Sequence, residues 1–589
     1  MSGYHRLPPT ILRSMAGGGD RAERDVLLAG QVSKRLAQLR AILDVVAEHR
    51  ADDGRTAGVG ESFDALAAVQ RHAPGVVADF LSGPHVGAWA AWCLRRLGNG
   101  EPGDDTPMWA HLAHLGSIAA AAALRSGTHL TVRVPACDGV VALPARGHVA
   151  VPGVGGWTLV ECTVADGGVT LDGDARVGWT PVRSLRAEAD GVTLDVQLDE
   201  LDPYWRVFGI PVRKRLGDEE VERWRNCLTE TWDILADRHR HRLDTMGMAV
   251  RCLVPVEQAG RLGRLSASSA DTPRAIALTE PTNPVRLAAT LIHESQHYRL
   301  SALHDLRPLY DDRPRNLLYS PWRNDPRPLP GIVHGVQAFL GVADFWLREP
   351  ADPIANLEYT RHAGQLRLAT DVLAEADGLT PFGQALVDTL RTTIDHLPTD
   401  VGPPEVRRLA DDLVAEHRAG WRLRNVVPAE ESPPALVRAW QTGGPLPPTG
   451  DSGEVAPGEP SGDNPLTRLA MAWLDNPAEV RALAGYPAAF TARFPAADPA
   501  DVHLLAGDYA AAREAALARI ETGTATDRDW ATLTVAHARL CPDPARSPLV
   551  RHPELVKAAW ELPAPGPPAL RTVLSHYEAG TSTSDSMRR

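Results

Sequence analysis

After Gly17-Gly18-Gly19, apolar residues recur at Val26, Leu27, Val32, Leu36, Leu39, Ile42, Leu43 and Val46, the spacing of one face of a long amphipathic helix. The same period returns over 63–69, 76–81 and 89–97 and through the Ala-rich stretch 108–124, so residues 1–127 read as a helical N-terminal domain. From Thr128 the period drops to two, with Leu130, Val132, Val134, Val140, Val149, Val151, Leu159 and Val169 set between Gly/Asp turns. Residues 128–215 therefore read as a β-rich segment. Gly-Val-Thr-Leu-Asp occurs twice there, at 168–172 and 191–195, as expected of strands that follow turns. Helical spacing resumes near Glu219 and runs, with loops, to about Arg424, making 216–427 a helical region.

Residues 428–465 carry Pro-Pro, Gly-Gly and Ser-Gly pairs and few large apolar groups, the composition of a flexible linker. Beyond it, the run from Leu504 to Ala515 and the Trp530/Leu533 pair are similar to pieces of tetratricopeptide helices, in little more than one unit. The expectation for 466–580 is a small helical appendage, and for 581–589 a disordered tail. The predicted class is α+β, mostly α.

Composition narrows the function classes. A net charge of −13 argues against broad nucleic-acid binding, which needs a basic surface to displace counterions. No apolar run approaches the roughly 20 residues of a membrane span. The first residues lack the basic-then-apolar pattern of a secretory signal, and the six cysteines are widely spaced with no C-x-x-C, so a cytoplasmic protein without disulfides or a thiolate zinc knuckle is expected. Oligomeric state is not readable. All but three of the 61 basic residues are arginine, which points to a GC-rich genome and carries no functional meaning. Gly17–19 reads as a turn, since no Gly-Lys-Ser/Thr follows to make a phosphate loop. His239 and His241, in an Arg-rich stretch, read as a solvated face.

One constellation carries chemistry. Asn283 is a natural N-cap with Pro284 at the first helical position, so a helix should run through His293-Glu294-Ser-Gln-His297. On such a helix His293 and His297, four apart, can reach one divalent metal, while Glu294 projects beside it toward a bound water or substrate. The third ligand is open. The extended form H-E-x-x-H-x-x-G-x-x-H fails at Leu300 and Leu303, and no glutamate lies between Glu294 and Glu349. His334, near the start of an apolar helical segment with Gly335 beside it, is the first candidate, and His304 and Asp305 are reserves. Between the histidines, a Pro-stiffened loop presents Tyr319, Trp322, Arg323 and Arg327. Either arginine suits a carboxylate, or is simply paired with Asp311, Asp312 or Asp325.

The Gly-rich start and Lys34-Arg35 helix, His293-Glu-Ser-Gln-His297, Tyr319-Ser-Pro-Trp-Arg-Asn-Asp-Pro-Arg-Pro and His334-Gly-Val-Gln-Ala-Phe-Leu-Gly-Val-Ala resemble the bacterial HExxH-domain proteins of ribosomal-peptide biosynthesis. These are described as 2-oxoglutarate-dependent peptide β-hydroxylases. The resemblance covers about residues 1–425. It implies non-haem Fe(II) on His293 and His297, with His334 as third ligand, and O₂-dependent hydroxylation at the β-carbon of a side chain such as Asp in a precursor peptide. Tyr319, Arg323 and Arg327 extend it as the groups that would bind 2-oxoglutarate. A histidine-only set departs from the usual 2-His-1-carboxylate triad, which leaves Glu294 open as a ligand or as a base beside the metal, and because imidazoles suit Fe(II) and Zn alike two alternatives stand: a zinc peptidase with Glu294 as general base, and a metal-free helical scaffold that presents a peptide. Arg299 favours the hydroxylase, because zinc peptidases usually carry an apolar residue there.

Overall fold

A computed structural model describes residues 5–99, 105–150, 155–174, 178–258, 265–311, 313, 316–442, 446, 453–458, 464–563 and 569–578. The chain is mostly helical with strands in the first half, an α+β protein. It divides into two compact units, Met1–Leu309 and Tyr310–Arg589. Among the described residues no helix is long and apolar enough to cross a membrane.

The first unit opens with the expected long helix, Arg21–His49, whose N-cap Asp20 accepts the Glu23 amide proton. Helices Val59–His72, Pro74–Leu81, Pro84–Asn99 and Met108–Ser126 follow. Strands β1 (Leu130–Cys137), β2 (Val140–Leu143), β3 (Gly147–Ala150), β4 (Trp157–Ala165), β5 (Gly168–Leu171) and β6 (Gly178–Pro181) form an antiparallel sheet in the order β5-β4-β1-β2-β3-β6. Its hairpins turn on Asp138-Gly139 and Asp166-Gly167, both residues of each pair at positive φ, the mirror-image turn that matches strand twist. Asp190-Gly191 does the same between β7 (Arg183–Ala189) and β8 (Val192–Leu198). The repeated Gly-Val-Thr-Leu-Asp indeed marks strands after turns.

The helical reading of 216–427 needs correction inside this unit. After helices Asp218–Arg238 and Leu243–Ala249 come β9 (Cys252–Pro255), β10 (Ser266–Ala267) and β11 (Ala275–Leu278), which build a second sheet in the order β10-β11-β9-β8-β7. β8 pairs parallel to β9, and β9 parallel to β11. Every residue of β9 and β11 is buried, so their sequences are short unbroken apolar runs, which show no alternation. His239 is likewise buried, at the C-cap of helix Asp218–Arg238, and only His241 keeps the solvated position expected of both.

One core runs from Leu39 through Trp89, the buried Ala119–Ala123 run and Val134 to Cys252 and Ala277. Helix Met108–Ser126 lies so close to the sheet that a Cβ on Gly116 would strike the carbonyl oxygen of Arg133. The segments with helical and two-residue periods therefore share one interior.

The second unit is built of helices. Leu329–Arg348, Pro353–Ala374, Pro381–Asp395 and Pro404–Asn425 are followed by Ser432–Thr442, inside the stretch whose composition reads as a linker. Leu436, Val437 and Trp440 bury one face of that helix, and Val426–Val427 pairs with Glu454–Val455. Residues 443–445, 447–452 and 459–463 of the same stretch lie outside the described residues, as does the tail at 581–589. Helices Tyr509–Glu521 and Asp527–Leu540 occupy the tetratricopeptide-like segment and share cores with Pro404–Asn425.

Candidate metal centre

Helix Pro284–Leu306 begins as its sequence requires: Asn283 accepts the Arg286 amide proton at 2.9 Å and Pro284 takes the first helical position. Over 291–300 every residue is buried except His293 and His297, which are half-buried. Their Nε2 atoms stand 3.0 Å apart, with the rings nearly perpendicular at 82°. Two imidazole nitrogens at about 2.0–2.1 Å from one ion, at octahedral or tetrahedral angles, are roughly 2.8–3.4 Å apart. The pair thus has the separation of adjacent ligands. Burial holds the His293 imidazole below its ordinary pKa, partly opposed by the charge of Glu294, and so keeps a lone pair available.

Glu294 is buried and its carboxylate is held on both oxygens. Ser266 Oγ donates to Oε1 at 2.7 Å and Ser268 Oγ to Oε2 at 2.5 Å. These serines, which the motif does not reveal, come from β10 and the residues after it. Their only sequence signal is the polar Ser266-Ala-Ser-Ser run ahead of the buried β11. Within the first unit, among the described residues, no further His, Cys, Asp or Glu places a ligand atom within 4.8 Å of both imidazoles, Glu294 included.

Arg299, two residues beyond His297, is fully buried and anchors the helix. Its guanidinium pairs with Glu23 at 2.5 and 2.8 Å and donates to Gln296 Oε1 at 2.6 Å, Ser14 O at 2.8 Å and Gly17 O at 3.3 Å. A Cβ on Gly19, which stands at φ +89°, would strike the Thr245 side chain, and Thr245 Oγ1 donates to Gly18 O at 2.7 Å. The Gly-rich start is therefore a close-approach segment that lets the N-terminal chain reach Thr245 and Arg299. The reserve ligands are engaged elsewhere. Asp305 accepts from Lys34 at 2.7 Å and Gln31 at 2.9 Å, and His304 Nδ1 accepts the Leu309 amide proton at 3.2 Å.

The other expected site residues belong to the second unit. His334 is half-buried in the first turns of helix Leu329–Arg348. The space opened by Gly335 is taken by the indole of Trp322, which stacks on Phe339 with centroids 4.7 Å apart. Tyr319 Oη hydrogen-bonds His417 Nδ1 at 3.1 Å, and its ring meets Trp421 edge-on. Arg323 and Arg327 both pair with Asp325, at 2.9 and 3.2 Å, with about half of each side chain exposed. That is the pairing their sequence offered as the alternative to a cosubstrate.

No protein-family model matches the chain, and no curated protein is significantly similar to it.

Proposed function

We propose that this protein is a non-haem Fe(II)- and 2-oxoglutarate-dependent hydroxylase that acts on the β-carbon of a side chain, such as Asp, in a ribosomally made precursor peptide. The observation that carries the metal is the 3.0 Å convergence of His293 and His297 on a capped helix. The donor set fits: two nitrogen ligands, one kept neutral by burial, suit Fe(II), and a site with few protein ligands leaves positions for a cosubstrate and O₂. With 2-oxoglutarate and O₂, bound Fe(II) supplies oxygen-atom transfer to a C–H bond, one oxygen atom entering the peptide and the other the succinate formed as CO₂ leaves.

The chain's own residues do the rest. His293 and His297 bind, and Arg299 and Glu23 fix the helix that carries them. Glu294 is the catalytic residue beside them, as a ligand or as a base held close to the metal. A zinc peptidase would use it to take a proton from metal-bound water, whereas here both carboxylate oxygens are turned to Ser266 and Ser268. The role of His334 as third ligand is what the family resemblance implies, and those of Tyr319, Arg323 and Arg327 as carboxylate binders extend it from their place in the Pro-stiffened loop between the histidines. His334→Ala should weaken metal binding at least about tenfold. Losing the correct arginine should raise the 2-oxoglutarate requirement and leave metal content intact.

The test is mass spectrometry of the precursor peptide encoded beside this gene, incubated in air with Fe(II), with and without 2-oxoglutarate. A product heavier by one oxygen atom that forms only with 2-oxoglutarate, and not with H293A/H297A protein, is the expected result. Peptide fragments produced with Zn alone would overturn it in favour of the peptidase.

A further inference from the structure

A second cluster of metal-ligating side chains lies in the interior of the first unit, assembled from segments far apart in sequence. His85 sits at the start of helix Pro84–Asn99, Asp199 directly follows β8, and Cys252 opens β9. One ligand atom from each, an imidazole nitrogen, a carboxylate oxygen and the thiol sulfur, lies within 4.8 Å of the other two, and all three residues are buried. His85 Nε2 and Asp199 Oδ2 are 2.8 Å apart, and Asp199 Oδ1 accepts the Leu201 amide proton at 2.8 Å. β8 and β9 are hydrogen-bonded neighbours, with Gln197 opposite Cys252, so the sheet itself brings the acid and the thiol together.

A fourth group stands close by. Asp202 caps the short 3₁₀ helix Pro203–Phe208, its Oδ1 accepting the Tyr204 amide proton at 2.9 Å, while its Oδ2 is buried with no hydrogen-bond partner among the described residues. A buried carboxylate oxygen without a donor is costly, and nearly all such atoms have a partner, an ordered water or an ion. His85 sets a positive charge against this pair of acids. We propose that His85, Asp199 and Cys252 bind a structural zinc ion, with the Asp202 carboxylate adding negative charge beside it.

The chemistry of the donors fits zinc, which takes imidazole nitrogen, carboxylate oxygen and thiolate sulfur. Burial and the neighbouring carboxylates hold the Cys252 thiol protonated and the Asp199 and Asp202 carboxylates favour the His85 imidazolium, so zinc binding would break one S–H and one N–H bond, form the Zn–S and Zn–N bonds and release both protons to solvent. The divalent ion then offsets the buried negative charge. Mechanically the ion ties the first turn of a helix to two adjacent parallel strands. All three ligand residues are buried, which makes this a stabilising site.

The site shares no residue with the His293/His297 pair, so the two are separable. Full-length H293A/H297A protein, produced with zinc supplied, should retain about one zinc per chain by elemental analysis. Adding Cys252→Ser should lower that content at least about tenfold. In the same H293A/H297A protein, cobalt replacing zinc should give a thiolate-to-cobalt absorption band that Cys252→Ser abolishes. Should Cys252→Ser fail to fold, Asp199→Asn is the second variant, expected to lower zinc content likewise. Zinc-free H293A/H297A protein without a cobalt band, or zinc content unchanged by either variant, overturns the assignment whatever the fate of the hydroxylase reading.

Discussion

His114 shows how burial alone writes a pH dependence. It is enclosed in helix Met108–Ser126, edge-on to Tyr204, and burial with the nearby His111 and His85 pushes its pKa down to about 3. The folded state keeps it neutral while the unfolded chain takes up a proton below the ordinary value of 6.5. Its stability contribution is therefore complete above pH 6.5 and is lost as the pH falls from there toward 3, at up to about 1.4 kcal/mol per pH unit for one proton. His85 has the opposite sign. Its native pKa is raised, so its contribution is complete below 6.5 and lost above, outside that window. Urea midpoints from pH 6.5 to 4 should fall for the wild type and fall less steeply for His114→Gln; equal slopes would show that the proton enters elsewhere. Residues of this kind are only half legible in sequence. The i, i+4 spacing exposes His293 and His297, but the serines that hold Glu294 and the partners of Cys252 come from distant segments of the chain, and no local spacing encodes them.

At the scale of the element, the metal helix is fixed at both ends by named side chains. Asn283→Ala removes the cap and should cost about 1 kcal/mol, read from the denaturation midpoint. Breaking the buried Arg299–Glu23 pair should cost more. Arg299→Met leaves Glu23 buried without its counter-charge, with only the Ser14 hydroxyl still donating to it, and should destabilise by about 3–5 kcal/mol, whereas the double change Arg299→Met/Glu23→Leu should recover much of that loss. A double variant no more stable than the single would mean the pair acts through packing and not charge. Sequence patterns read the helices and the Asp-Gly hairpins well, because caps, apolar stripes and turn residues are local. They missed β9 and β11 because strands buried on both faces show no alternation, and they took 432–442 for linker because prolines and glycines on either side outweighed Leu436 and Trp440.

At the scale of the molecule, local period and folding unit are different things. The helical residues 1–127, the β-rich 128–215 and the first part of 216–427 belong to one unit, because helix Met108–Ser126 and both sheets enclose the same core. The anchors of the metal helix also lie in that unit: Glu23, Ser14 and Gly17 for Arg299, Ser266 and Ser268 for Glu294, and Lys34 and Gln31 for Asp305. Some of these contacts join residues more than 270 positions apart, so the helix cannot be held by any shorter N-terminal or central fragment. Residues 1–309 expressed alone should therefore fold with a single cooperative urea transition, while a chain starting after His49 should not. The same 1–309 protein should bind about one Zn or Co per chain more than its H293A/H297A variant, the difference being the ion on those two histidines. If it folds yet binds no metal at those histidines while the full chain does, a ligand from the second unit is required, and His334→Ala in the full chain is then the variant that must abolish binding.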